Sequence, residues 1–203
     1  MTTTPTTLSR SDRFGMYTTV VFGAIGAVVT VWIAVSRLIE VLSGRGIPVL
    51  VPFVDETATL PIGPGGSAIP VEVDQAVVIV DDPAPATLFA LIAEPIVTGL
   101  AILAGIVILC LFCLNLARGK AFSTSTVRLV FIGTGVLLVG WVVGSLFRTM
   151  GVNGTLSAVS DYTYDGVLFQ TDFGVVFAVL VLGAIGAAFQ IGHRLQRDQE
   201  GLV

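Results

Sequence analysis

Four stretches of this chain contain no Asp, Glu, Lys or Arg, and their lengths constrain the fold more than any other feature. They are residues 14–36, 95–117, 129–147 and 173–193, which is 23, 23, 19 and 21 residues. A helix needs about 20 apolar residues to cross a hydrocarbon core roughly 30 Å thick. Each stretch is filled with Val, Ile, Leu, Phe, Ala and Gly. Only 12% of the 203 residues are charged and the mean hydropathy is +0.95, against roughly 25% charge in soluble domains. The expected fold class is therefore an all-α membrane protein. It is a bundle of four transmembrane helices, with a small extracytoplasmic β-rich loop between the first and the second.

The expected organisation follows the same pattern. Residues 1–14 form a disordered cytoplasmic tail, because the Thr-rich start has no apolar periodicity. Transmembrane helices cover 15–42, 87–117, 126–149 and 172–195. An outer β-rich loop covers 43–86, a cytoplasmic hairpin 118–125, an outer loop 150–171 and a cytoplasmic tail 196–203. The first apolar run exceeds the roughly 7–15 residues of a signal-peptide core, so it reads as an uncleaved span.

Charge sets the expected orientation, since Lys and Arg favour the cytoplasmic side of short loops. Seven of the ten basic residues fall in the two tails and the 118–128 connection: Arg10, Arg13, Arg118, Lys120, Arg128, Arg194 and Arg197. The opposite side keeps Arg37, Arg45 and Arg148 and collects acids such as Asp55, Glu56, Asp81 and Asp82. Both termini should thus be cytoplasmic.

Residues 44–86 are too many for a plain connector. Runs of Val, Ile and Phe alternate there with Pro-Gly clusters, the pattern of strands and turns. Two to four short antiparallel strands are expected, with IGPGGS (62–67) as a turn. Pro61, Pro64 and Pro70 point to edge strands. This element reads as a cover over the outer helix ends, or else as a ligand-binding cap. Its paired acids lack the spacing of a calcium loop.

Ionisable groups within or beside spans are functional candidates by default. Arg37, Glu40, Glu94 and Arg148 belong to one outer layer, in which Glu94 is expected to pair with Arg37 or Arg148 as a clamp or gate. Mid-span charge is absent from all four stretches, which argues against proton-coupled transport. Cys110 and Cys113 form a C-x-x-C within the second span, where packing explains them better than redox chemistry. His193 alone makes no metal site. Neither a catalytic set nor a phosphate-binding fingerprint can be assembled, so no enzyme activity, cofactor or metal is expected.

Small residues let helices approach closely in lipid. Gly23 and Gly26 (GAIGA), Gly140 and Gly144 (G-x-x-x-G), and Gly183 and Gly186 (a second GAIGA) are the expected packing positions. The matching depths of the two GAIGA motifs predict contact between spans one and four, or a homodimer face.

The connection between spans two and three carries a motif of its own. Gly119, Lys120, Ala121, Phe122 and Ser123, together with a strand-rich first outer loop ending at Asp82-Pro83, resemble a bacterial four-span membrane family. That family is catalogued as domain of unknown function twenty-nine-seventy-five, and the likeness is to its actinobacterial members. Thr126 stands where many members have Asn. The resemblance implies a membrane location. Some members are encoded beside small helix-turn-helix regulators, which implies a membrane-tethered regulatory role. The expected partners are the lipid bilayer, another membrane or cytoplasmic regulatory protein, or a second copy, with no direct nucleic-acid contact. The five motif residues are the candidate partner loop. The leading expectation is a non-catalytic accessory or regulatory membrane protein; a small oligomeric transporter or channel and a membrane thiol oxidoreductase are the alternatives.

Overall fold

A computed structural model describes residues 10–119, 123–163 and 173–200. Four long helices carry the chain: α1 (Arg10–Leu42), α2 (Pro85–Ala117), α3 (Thr124–Val159) and α4 (Phe173–Glu200). Each is long and apolar enough to cross a membrane. Their outward faces support this: Phe22, Val28, Trp32, Phe177 and Leu180 are all exposed. Contiguous apolar surface on this scale is foreign to soluble monomers, and it matches lipid as the surrounding solvent. The fold is mostly helical, as expected of a multi-pass membrane protein.

Helix limits follow local chemistry. Pro85 opens α2 at a position where a missing N–H costs nothing. At the other end Gly119, at φ +72°, turns back so that its N–H reaches the Leu116 carbonyl at 2.8 Å. Ser123 begins α3, its hydroxyl accepting from the Thr126 N–H at 3.3 Å. Arg10 already lies in α1, so the helix takes in part of the tail expected to be disordered.

The largest departure from expectation is α3. It runs ten residues past the expected end at 149 and absorbs MGVNGTLSAV (150–159) into helix. Two glycines and an Asn look like a loop in sequence. Here the Asn153 amide donates to the Thr149 carbonyl at 3.0 Å and Ser157 to the Asn153 carbonyl at 2.9 Å. Such back-bonding satisfies the polar groups inside the helix.

Between α1 and α2 lie four strands, β1 (Ile47–Pro52), β2 (Thr57–Leu60), β3 (Ile69–Glu72) and β4 (Gln75–Val80). β1 pairs antiparallel with β4, Ile47 opposite Val80, and β2 with β3, Thr57 opposite Glu72. The two sheets are halves of one ribbon. The Phe53 N–H donates to Asp74 and the Val73 N–H to Glu56, both at 2.9 Å, which leaves Val54 and Asp55 as two extra residues on one strand. Asp55 takes φ +57° to make this bulge. At its tip, Pro64–Gly66 form a single 3₁₀ turn. The base is tied by the Gly46 N–H donating to the Asp81 carboxylate at 2.6 Å and the Asp82 N–H to the Gly44 carbonyl at 3.1 Å.

The described residues divide into two compact units: 10–35, 96–119, 123–143 and 173–200 in one, and 36–95 with 144–163 in the other. The second has its own core, where Ile47, Val49, Val51 and Val80 of the ribbon pack with Val41, Leu91, Val152 and Leu156. Phe89 and Phe147 add an edge-to-face contact at 5.7 Å. In the first unit the glycines set helix contacts. Gly23 and Gly26 face Cys110 and Ile106 of α2, while Gly140 lies against Ala101 and Gly105 against Leu137. Gly186 faces Val130 and Phe131 of α3, while a Cβ at Gly183 would meet no other described element within 4 Å. The contact expected between spans one and four is therefore not what these glycines make: α1 meets α2, and α4 meets α3. A helix of small residues has several faces on which it can pack. Gly144 is buried in α3.

Candidate functional site

The second unit contains an open-sided cavity of about 300 Å³ lined by Arg37 of α1, Pro48, Val49 and Leu50 of β1, Leu91 and Glu94 of α2, and Arg148 and Val152 of α3. Its walls are placed by ordinary fold chemistry. β1 alternates, so Val49 enters the core while the strand lies across the cavity. Gly151 and Gly154 bring α3 close to α2: a Cβ at Gly151 would press on Leu91, and one at Gly154 would collide with Thr87. Glu94 and Arg148 are brought to one space by that approach.

Charge in the cavity is only partly paired. Arg37 donates from Nη1 to Glu40 Oε2 at 2.5 Å, one helical turn further along α1. This neutralises the pair at a modest gain of about 0.2–0.5 kcal/mol. Neither Glu94 nor Arg148 has an ion pair within 4 Å among the described residues. The expected pairing of Glu94 with Arg37 or Arg148 is therefore replaced by an Arg37–Glu40 pair on a single helix. The physical reason is proximity. Residues three apart on a helix meet without any tertiary constraint, whereas Glu94 and Arg148 are held on separate helices across a cavity. Arg148 and Arg37 still act electrostatically on Glu94. The four residues of the expected layer thus share one region, and three of them line one space.

The remaining candidates lie elsewhere. Of the candidate partner loop, Gly119 ends α2 and Ser123 begins α3, while Lys120, Ala121 and Phe122 fall outside the described residues. Cys110 and Cys113 are free thiols; Cys113 is buried, and the Cys110 Sγ lies where a side chain at Gly23 would stand. His193 lies in α4. Among the described residues no group of three or more His, Cys, Asp and Glu is placed to hold a metal ion.

Sequence reasoning missed two features. One is the contribution of β1 to the cavity wall, which no local pattern announces. The other is Thr155, fully buried with a hydroxyl that has no hydrogen-bond partner among the described residues. Comparison with protein-family models, with curated proteins and with solved structures returns no match.

Proposed function

We infer that this chain is a multi-pass protein of a bacterial plasma membrane, with both termini cytoplasmic and the β-ribbon on the outer side. It acts as a non-catalytic accessory or regulatory subunit through a protein partner, in keeping with the four-span family resemblance at Gly119 and Ser123. One observation carries the reading. The ribbon buries one face on the helix ends, yet Val77 and Ile79 of β4 remain 61% and 62% exposed. A polar residue at either position would satisfy a mere cover. Exposed β-branched residues beside an unpaired strand edge are a contact surface. The uneven distribution of basic residues supports the orientation.

The test is site-specific photo-crosslinking in native membranes from Val77 and Ile79, with Gly65 at the ribbon tip as control. A discrete protein adduct at Val77 or Ile79, absent at Gly65 and abolished by Ile79→Asp, is expected. Equal adducts at all three positions, or lipid adducts only, would reject a partner at this face. A periplasmic reporter inserted at Gly65 should be active; inactivity there would reverse the orientation.

A further inference from the structure

We propose that the cavity between Glu94 and Arg148 is a binding site for a small zwitterion carrying a primary ammonium and an acidic phosphate or carboxylate. The reading above is not needed for it.

Charge is left over in this cavity. Arg37 and Glu40 satisfy each other. That leaves one anion, Glu94, and one cation, Arg148, lining the same space of about 300 Å³ without an ion pair to each other within 4 Å. Glu94 is half-buried and Arg148 exposed, so the two opposite charges open onto this space from facing helices. Here β1 and the apolar walls from Leu91 and Val152 hold them apart around a volume at the lower end of the ligand-pocket range. A simple anion would meet repulsion from Glu94, and a simple cation from Arg148. A molecule with both charges meets neither. Its ammonium would donate to the Glu94 carboxylate, which accepts from up to three N–H groups. Its acidic oxygens would accept from the planar fork of Arg148, whose geometry suits carboxylate and phosphate. The guanidinium of Arg37 has N–H groups beyond the one given to Glu40, and Arg37 lines the same cavity.

Two sources share this chemistry: the headgroup of an ethanolamine phospholipid, and a free amino acid or phosphoethanolamine. The apolar walls are compatible with either.

The experiment uses the full chain purified in mild detergent and calorimetric titration with four probes. They are dihexanoyl phosphatidylethanolamine, free phosphoethanolamine, glycine, and dihexanoyl phosphatidylglycerol as an anion without an ammonium. Saturable binding of at least one of the first three, with phosphatidylglycerol at least tenfold weaker, is expected. Binding of the lipid alone assigns a headgroup site, and binding of the free molecules assigns a soluble ligand. Glu94→Gln and Arg148→Gln should each weaken binding at least tenfold. Leu50→Trp, which fills the cavity without altering its charge, should do the same while the protein stays monodisperse with an unchanged thermal midpoint. Should the charge variants fail to fold, Leu50→Trp and the phosphatidylglycerol comparison still decide. Equal binding of phosphatidylglycerol, zwitterion binding indifferent to Leu50→Trp, or no binding of any probe would each overturn the proposal.

Discussion

At the scale of single residues, the second unit contains both an excess and an economy. Thr155 is the excess, a hydroxyl buried in α3 with no partner among the described residues. Burying an unsatisfied polar group costs about 1–3 kcal/mol. Thr155→Val keeps the shape and removes the polar atom, so it should raise the thermal midpoint of the purified protein. A fall would mean that the hydroxyl is bonded after all. Gly154 is the economy. A Cβ there would meet Oγ1, Cβ and Cγ2 of Thr87 closer than side-chain atoms approach one another. Gly154→Ala should therefore destabilise by about 1–3 kcal/mol, the usual cost of overpacking. Gly183→Ala, where a Cβ would meet no other described element within 4 Å, should be tolerated in the same thermal assay.

At the scale of elements, the helix ends are set by short signals that can be tested one at a time. Ser123 caps α3 through the Thr126 N–H, and its hydroxyl also lies 2.9 Å from Thr126 Oγ1. Ser123→Ala should lower stability by about 0.5–2 kcal/mol, with Ser123→Asp restoring most of the loss; thermal unfolding of the three proteins checks this. Much of the element pattern was legible beforehand. Charge-free stretches located all four helices because lipid imposes a composition that no other environment demands. Pro and Gly clusters located the strands. Two things escaped. The last turns of α3 hid behind Gly151, Asn153 and Gly154, residues that read as loop until their side-chain bonds and close neighbours are seen. The cavity escaped because Glu94, Arg148 and β1 are far apart in sequence, and their meeting depends on packing between elements. Of the candidate ion-pair layer, sequence identified the members but not the pairing.

At the scale of the whole molecule, the exposed apolar side chains make a physical claim about the surroundings. Trp32 of α1 is 73% exposed, and it lies within a helix long and apolar enough to span. Reconstituted into vesicles with brominated acyl chains, a Trp141→Phe variant should show strong quenching of the remaining Trp32 fluorescence. Quenching no greater than that of a water-exposed indole would place this face outside the hydrocarbon. The lengths point the same way. At 1.5 Å per residue the 36 residues of α3 extend about 54 Å, more than the roughly 30 Å of hydrocarbon requires. Extra turns of this kind carry the packed second core.

The bulge at Val54 and Asp55 divides the ribbon into two halves with separate registers. Only the half formed by β1 and β4 contributes to the buried core. The half formed by β2 and β3 is thus a detachable module in evolutionary terms. Its length, tip and charges can change in matched pairs of residues without disturbing the foundation it is mounted on.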